Sequence, residues 1–277
     1  GGLLFGFGMT LTSGCGNKTL VRLGAGNLKS LVVAIFLGIF AYMTLRGLMG
    51  LARMKIEGLA NIDLTAAGLE TQGIPDLHAA AGLSQEIARF FAIAVVAGGL
   101  LWFCFKSVEF RRSRLDVAAG LVIGTLVPVA WFITGVLGRD DFEPVPLSSL
   151  TFVAPVGESL QYLMTFTGST INFGIAVVGG VIAGSFVMAK ASGQFRVESF
   201  IDSTDMVRHM VGGAIMGIGG VMALGCTIGQ GIAGMSTLAL GSLIALLSII
   251  TGGVVGMKYL EEGSLAGALS AMFPRGS

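Results

Sequence analysis

Gly1-Gly2-Leu3-Leu4-Phe5-Gly6-Phe7-Gly8, running on to Gly14-Cys15, is matched by Gly212-Gly213-Ala214-Ile215-Met216-Gly217-Ile218-Gly219, running on to Gly225-Cys226. The two stretches align without a gap at an offset of 211 residues, and their six identities are all glycine or cysteine. Glycine lets backbones approach closely and cysteine carries sulfur chemistry, so the repetition marks a site.

Around the two stretches lies a chain of 277 residues that is 53% apolar and 12% charged. Soluble domains carry about 25% charged residues, so the composition is that of an integral membrane protein. The 44 glycines agree, because small residues let membrane helices pack closely. A net charge of +1 gives no field that would recruit nucleic acid. Three cysteines are an odd count for a disulfide framework, and Cys15 and Cys226 are read as free, functional thiols. The chain starts inside an apolar segment, while the second copy has a lead-in from about Ser169 to Val211, so the natural protein is expected to begin upstream. Residues 274–277, Pro-Arg-Gly-Ser, read as a protease-site scar and are set apart from the fold.

A membrane span needs roughly 20 apolar residues. Leu31 to Met49, Phe90 to Phe105, Val117 to Gly138, Ile171 to Met188 and Leu238 to Met257 meet that length. The repeated segments, Gly1 to Ser13 and Val211 to Leu224, are too short to cross alone. Short, glycine-interrupted segments at corresponding places in two halves point to a transporter binding site. The breaks fall at Gly14-Cys15-Gly16-Asn17-Lys18-Thr19 and at Gly225-Cys226-Thr227-Ile228-Gly229-Gln230-Gly231, and each leads through a short helical stretch to a full span. Four spans separate the copies, so if each broken segment with its following helix crosses the bilayer, the repeat is inverted. If each is re-entrant, the copies are parallel. Inversion is the favoured expectation.

The expected fold is therefore all-α: a polytopic membrane helix bundle with an internal repeat and two broken helices carrying Gly-Cys loops. Residues 1–277 are read as one transmembrane domain, with copy one at 1–49, an outer-surface segment at 50–89 and copy two at about 169–258. Lys106, Arg111, Arg112 and Arg114 in one loop, and Lys190, Arg196 and Arg208 in another, assign both loops to the cytoplasm. The loop from Arg139 to Thr170, with Asp140, Asp141, Glu143 and Glu158, then faces outside. Asp202-Ser203-Thr204-Asp205 reads as a helix start.

A thiol in an apolar wall keeps its proton and acts as a weak donor. Cys15 and Cys226 so placed suit a soft anion with a terminal sulfur, and backbone N–H groups at the following helix starts add donors. Gly14, Gly16 and Gly225 shape the loops, and Asn17, Thr19, Thr227 and Gln230 offer side-chain hydrogen bonds. Lys18 and Arg22 are weighed evenly between pathway cations and side chains that snorkel to the surface. Cys104 has no matching partner and reads as a small hydrophobe in the core. His78 and His209 lack ligand spacing, so no metal is expected, nor any other cofactor.

On these two cysteine loops the chain resembles the YeeE/YedE family of bacterial inner-membrane proteins, which includes thiosulfate transporters. The resemblance implies uptake of thiosulfate or a related sulfur anion through an hourglass-shaped bundle, with Cys15 and Cys226 as pathway thiols that pass it on by S–H hydrogen bonds. It implies a transporter and not an enzyme, embedded in the lipid bilayer, with a small cytoplasmic sulfur-carrier protein as a plausible partner. Two alternatives stay open at this point: covalent persulfide transfer to a cytoplasmic carrier, and transport of a selenium compound.

Overall fold

The computed structural model describes residues 1–60, 71–74, 85–138, 146–264, 267 and 270. In chain order the helices are α1 (Gly2–Leu11), α2 (Gly16–Gly24), α3 (Leu28–Arg46), α4 (Leu48–Ala60), α5 (Gln85–Lys106), α6 (Val108–Arg112), α7 (Arg114–Phe132), α8 (Val153–Met164), α9 (Phe173–Ala191), α10 (Ser203–Met222) and α11 (Leu240–Glu262). α7 runs on into a π turn at Ile133–Leu137, and a second π turn occupies Gly229–Gly234. Among the described residues there is no strand, only the isolated bridges Asn27–Glu198 and Gly73–Ala239. The fold is all-helical.

Among the described residues, five helical segments are long and apolar enough to span a membrane: Leu28–Arg46, Arg89–Lys106, Arg114–Leu137, Phe173–Ala191 and Leu240–Glu262. They coincide with the five runs that the sequence marks out. In α5 and α7 most of the apolar side chains lie bare, Phe90 81% and Leu115 80% exposed. Such faces are costly in water and ordinary in lipid, so this is a multi-pass membrane protein. Cys104 lies among those exposed side chains, which corrects the expectation of a core position.

Half of the expected outer-surface segment, including Pro75 and His78, lies outside the described residues, as do Arg139, Asp140, Asp141, Glu143 and residues 274–277. α4 covers the start of that segment and α5 its end.

The chain divides into two compact units. One comprises Gly1–Leu59, Leu150–Gly231 and Ile244–Ser277, and the other Ala60–Ser149 and Ile232–Leu243. In the second unit, Thr134 ties the π turn of α7 to the following chain, its Oγ1 donating to the carbonyls of Ala130 (3.0 Å) and Ser148 (2.9 Å).

The first unit is organised around α10, which packs along α3 and α1, while α3 also packs on α8. Phe5, Leu37, Met216, Val153 and Ile249 are fully buried where these helices meet. Lipid tails are as apolar as leucine, so helices associate in a bilayer through tight packing rather than through a hydrophobic drive. The repeated glycines supply it. A Cβ on Gly8 would stand 2.7 Å from the Gly212 carbonyl oxygen, and one on Gly219 would strike Gly1 and Phe5, so α1 and α10 run antiparallel with backbones touching. Gly6 meets the backbone of Ile249 and Gly253 in α11, and Gly217 meets Leu37 and Ala41 in α3.

One sequence expectation, a repeated segment only as long as Val211 to Leu224, needs correction. α10 starts at Ser203, at the signal the sequence offers, because the Asp202 carboxylate caps it by accepting from the Asp205 N–H at 2.6 Å. Its 20 residues reach about 30 Å at ~1.5 Å per residue, a membrane thickness, although the first two turns carry Asp205, Arg208 and His209.

Candidate functional site

Both glycine-rich helices end with the same backbone hydrogen bonds. After α1, Ser13 N donates to Thr10 O (3.2 Å) and Gly14 N to Met9 O (3.0 Å); after α10, Leu224 N donates to Val221 O (3.0 Å) and Gly225 N to Gly220 O (2.9 Å). This pair of bonds is the Schellman end, which absorbs carbonyls that the helix leaves free and needs one left-handed residue. That residue is Ser13 (φ 58°) in one copy and Leu224 (φ 56°) in the other. Left-handed backbone at a residue with a Cβ costs roughly 1 kcal/mol. The chain thus reverses one residue before Gly14 and Gly225, where the sequence pattern places the break. Those glycines make room instead: a Cβ on Gly14 would stand 3.0 Å from the Lys18 stem, and one on Gly225 3.2 Å from that of Gln230.

Each cysteine then starts a new helical segment. The Cys15 carbonyl accepts from Thr19 N (2.9 Å), and the Cys226 carbonyl from Gln230 N (2.8 Å). Beyond this point the copies are offset by 212 residues, since Leu28 N bonds Glu198 O (2.9 Å) and Leu240 N bonds Gln72 O (3.0 Å) at matching positions. The extra residue falls where α2 is regular and its counterpart is the π turn Gly229–Gly234. A π turn absorbs one additional residue in a helix, which accounts for it.

Cys226 is 0% exposed and belongs to the buried cluster formed by Phe5, Leu37, Phe152, Val153 and Met216; Cys15, half-buried, packs against the same cluster. The Cys226 Sγ receives the N–H of Gly229 at 3.4 Å. A donor on the sulfur takes up its acceptor side and leaves its own S–H free to point elsewhere.

The polar side chains singled out from sequence divide by what they already do. Thr19 Oγ1 donates back to the Cys15 carbonyl (3.0 Å), and Gln230 Nε2 to the Ala223 carbonyl (2.8 Å), so both hold the breaks together. Arg22 Nη1 donates to the Ser13 carbonyl at 3.1 Å. Lys18 is exposed, with its stem over Gly14, and Asn17 is half-buried. Gly16, which is buried, faces Leu37 and Phe152. Thr227 Oγ1 is buried without a hydrogen-bond partner among the described residues. A buried unpaired hydroxyl costs about 1–3 kcal/mol, an expense usually found where a ligand or water completes the site.

Sequence reasoning missed the segment Thr151-Phe152. It lies against both loops, Phe152 beside Gly16 and Cys226, and Thr151 beside Gly229. Its one legible signal is the helix start ahead of Pro155, which carries no sulfur chemistry to attract notice.

Helices with apolar outer faces, packed through glycines around two cysteine-bearing breaks, define a polytopic membrane protein with a polar discontinuity inside its helix packing. The family model described as sulphur transport matches residues 1–255, and the chain belongs to that family. Relatives include the thiosulfate transporter TsuA of Escherichia coli (strain K12), 27% identical over 254 residues, which cover 84% of this chain and 65% of that protein. The thiosulfate transporter TsuA of Spirochaeta thermophila (strain ATCC 700085 / DSM 6578 / Z-1203) is 28% identical over 244 residues, covering 86% of this chain and 69% of its own length. The chain thus spans about two thirds of these relatives.

Proposed function

We propose that this chain carries thiosulfate, or a closely related sulfur anion, across the bacterial inner membrane past Cys15 and Cys226, acting as a transporter and not an enzyme. The observation that carries this reading is the amide-held thiol of Cys226 beside the unpaired Thr227 hydroxyl, in the cluster against which Cys15 packs. With the Gly229 N–H on its acceptor side, the Cys226 thiol acts as a donor, and Thr227 supplies a second hydrogen. A terminal sulfur carrying part of a negative charge is a soft acceptor that both can serve. A neutral thiol adds no charge to repel the anion, so transfer from one S–H to the other needs no covalent step.

The copies fit an inverted relation. The contacts Gly8–Gly212 and Gly1–Gly219 exchange with each other when one copy is substituted for the other, as a twofold axis between antiparallel helices requires. Loop charge places the Arg196 and Arg208 side in the cytoplasm, where a small sulfur-carrier protein would receive the anion.

Uptake of sulfur-35 thiosulfate into proteoliposomes tests the reading. Cys226→Ala should abolish uptake while the protein still purifies as a folded species. Uptake that survives in both Cys15→Ala and Cys226→Ala would overturn it.

A further inference from the structure

The turn that joins α5 to α7 carries an uneven charge. Lys106, Arg111, Arg112 and Arg114 stand close together against Glu109 and Asp116, which leaves the turn positive. All six side chains are exposed. Glu109 lies three residues before Arg112 and Asp116 four after it, yet among the described residues neither carboxylate forms an ion pair and the three arginine side chains have no hydrogen-bond partner. Other cations of the chain are engaged. Lys29 and Arg208 share Asp205, each at 2.7 Å, Lys258 holds Glu261 at 2.8 Å, and Arg22 and Arg196 face a cavity beside the first break.

The turn is short and held in place. Ser107 Oγ accepts from Phe110 N (3.4 Å) and Ser113 Oγ from Asp116 N (3.3 Å), so one serine starts α6, the other starts α7, and no slack separates the three helices. The Phe110 ring meets that of Phe105 edge-on at 5.9 Å, and Lys106 Nζ lies 5.1 Å from the Trp102 ring centroid. The spans on either side are bare. Only 6% of the apolar stretch in α5 and 17% of that in α7 is buried, against 39% in α3. Lipid therefore surrounds this hairpin, and its cations emerge where the hydrocarbon ends. Trp102, two thirds exposed, marks that depth, because tryptophan favours the membrane boundary. The layer next to it is headgroup phosphate.

We propose that this basic turn is an interaction site for anionic phospholipid, with Arg111, Arg112 and Arg114 on headgroup phosphates of the leaflet that loop charge assigns to the cytoplasm. The planar fork of arginine matches two phosphate oxygens, and a guanidinium without a carboxylate gives up no ion pair to take them. Each cation near an anionic surface strengthens the attraction by about fivefold. Zwitterionic lipid offers the same phosphate but carries its own ammonium, which competes for it. The site is separate from the cysteine breaks and independent of what they carry.

Tryptophan quenching tests the proposal on the whole chain. The chain has two tryptophans, so Trp131→Phe leaves Trp102 as the reporter, and bromine on a lipid tail quenches it only at close range. In dioleoylphosphatidylcholine vesicles, dibrominated phosphatidylglycerol should reach half of its quenching at a mole fraction at least about fivefold below that of dibrominated phosphatidylcholine. Arg111→Gln/Arg112→Gln/Arg114→Gln, with all three changes at exposed positions, should bring the two curves together. Inorganic phosphate, balanced against sodium chloride at equal ionic strength, should leave the phosphatidylglycerol curve in place. Coincident curves for the two lipids before the arginines are changed, or a preference that persists in the triple variant, would overturn the site. Displacement by inorganic phosphate would overturn it too, by making the turn a site for the free anion. If Trp131→Phe fails to fold, native mass spectrometry decides: the unsubstituted chain should retain phosphatidylglycerol in preference to phosphatidylcholine, and equal retention with and without the three arginines counts against the proposal.

Discussion

The two breaks share a backbone and differ in what surrounds it. After α1, a guanidinium from Arg22 takes the carbonyl of the turn residue Ser13, and Cys15 is half-buried next to a charged cavity. After α10, the carboxamide of Gln230 takes the Ala223 carbonyl and Cys226 is sealed from solvent. Every helix end leaves carbonyls without intrahelical partners, and inside a membrane they must be bonded by protein. One copy solves this with a cation that also attracts anions, the other with a neutral amide that attracts nothing. The same bend recurs at both breaks, while the side chains that complete it differ in charge.

The largest expected effect separates the thiols by function. Cys226→Ala should lower thiosulfate uptake at least about 100-fold, the upper range for one lost hydrogen bond to a charged group. Uptake within a few-fold of the native rate would make the sealed break a structural feature only.

Exposure separates them by reactivity. A charged methanethiosulfonate reagent should modify Cys15 about tenfold or more faster than Cys226, because reactivity follows access and thiolate character. Equal rates, read by mass spectrometry of each cysteine peptide, would erase the distinction between an open and a closed break.

The shared part of the comparison is tested by packing. Gly8→Val forces a side chain into the Gly212 backbone and should destabilise the fold by about 1–3 kcal/mol. Gly58→Val, at a helical glycine with open space around it, should change the unfolding temperature far less. A similar loss from both would show that the α1–α10 contact is not what holds the breaks in place.

A smaller effect distinguishes the charged break through pH. Asp205 lies outside the five spans, and the hydrogen bond from Lys29 holds its carboxyl below the usual aspartate range. A group with a depressed folded pKa contributes stability above its unfolded value, about 3.9, and loses it as pH falls through the folded value. Asp205→Asn should therefore unfold at a lower temperature than the native chain at pH 7, with the gap closing only below pH ~4. A gap that closes well above pH ~4 would show that another group carries the effect. Smallest of all, Leu224→Gly relieves left-handed backbone but loosens the unfolded chain by a comparable amount, so stability should stay within about 0.5 kcal/mol.

Much of this was legible in the residues because membrane helices obey a simple length rule. Five apolar runs became five spanning helices, and Asp202 announced the start of α10. The position of the turn was misread by one residue. Glycine is the usual left-handed residue, yet the chain spends that conformation on Ser13 and Leu224, because the Schellman bonds count back from the helix and not from the glycine. Thr19 and Gln230 read as free donors in the sequence and are used up within the breaks. No spacing rule shows which carbonyl a side chain will find.

The sequence by itself determined the membrane class, the spans and the paired cysteines, since hydropathy and repetition are properties of chain order. Only the tertiary structure decided that Gly8 meets Gly212, that Phe152 reaches Cys226, and that Arg22 and Arg196 face one cavity. Those pairings join residues far apart in the chain through close packing and directed hydrogen bonds, whose geometry exists only once the helices have crossed.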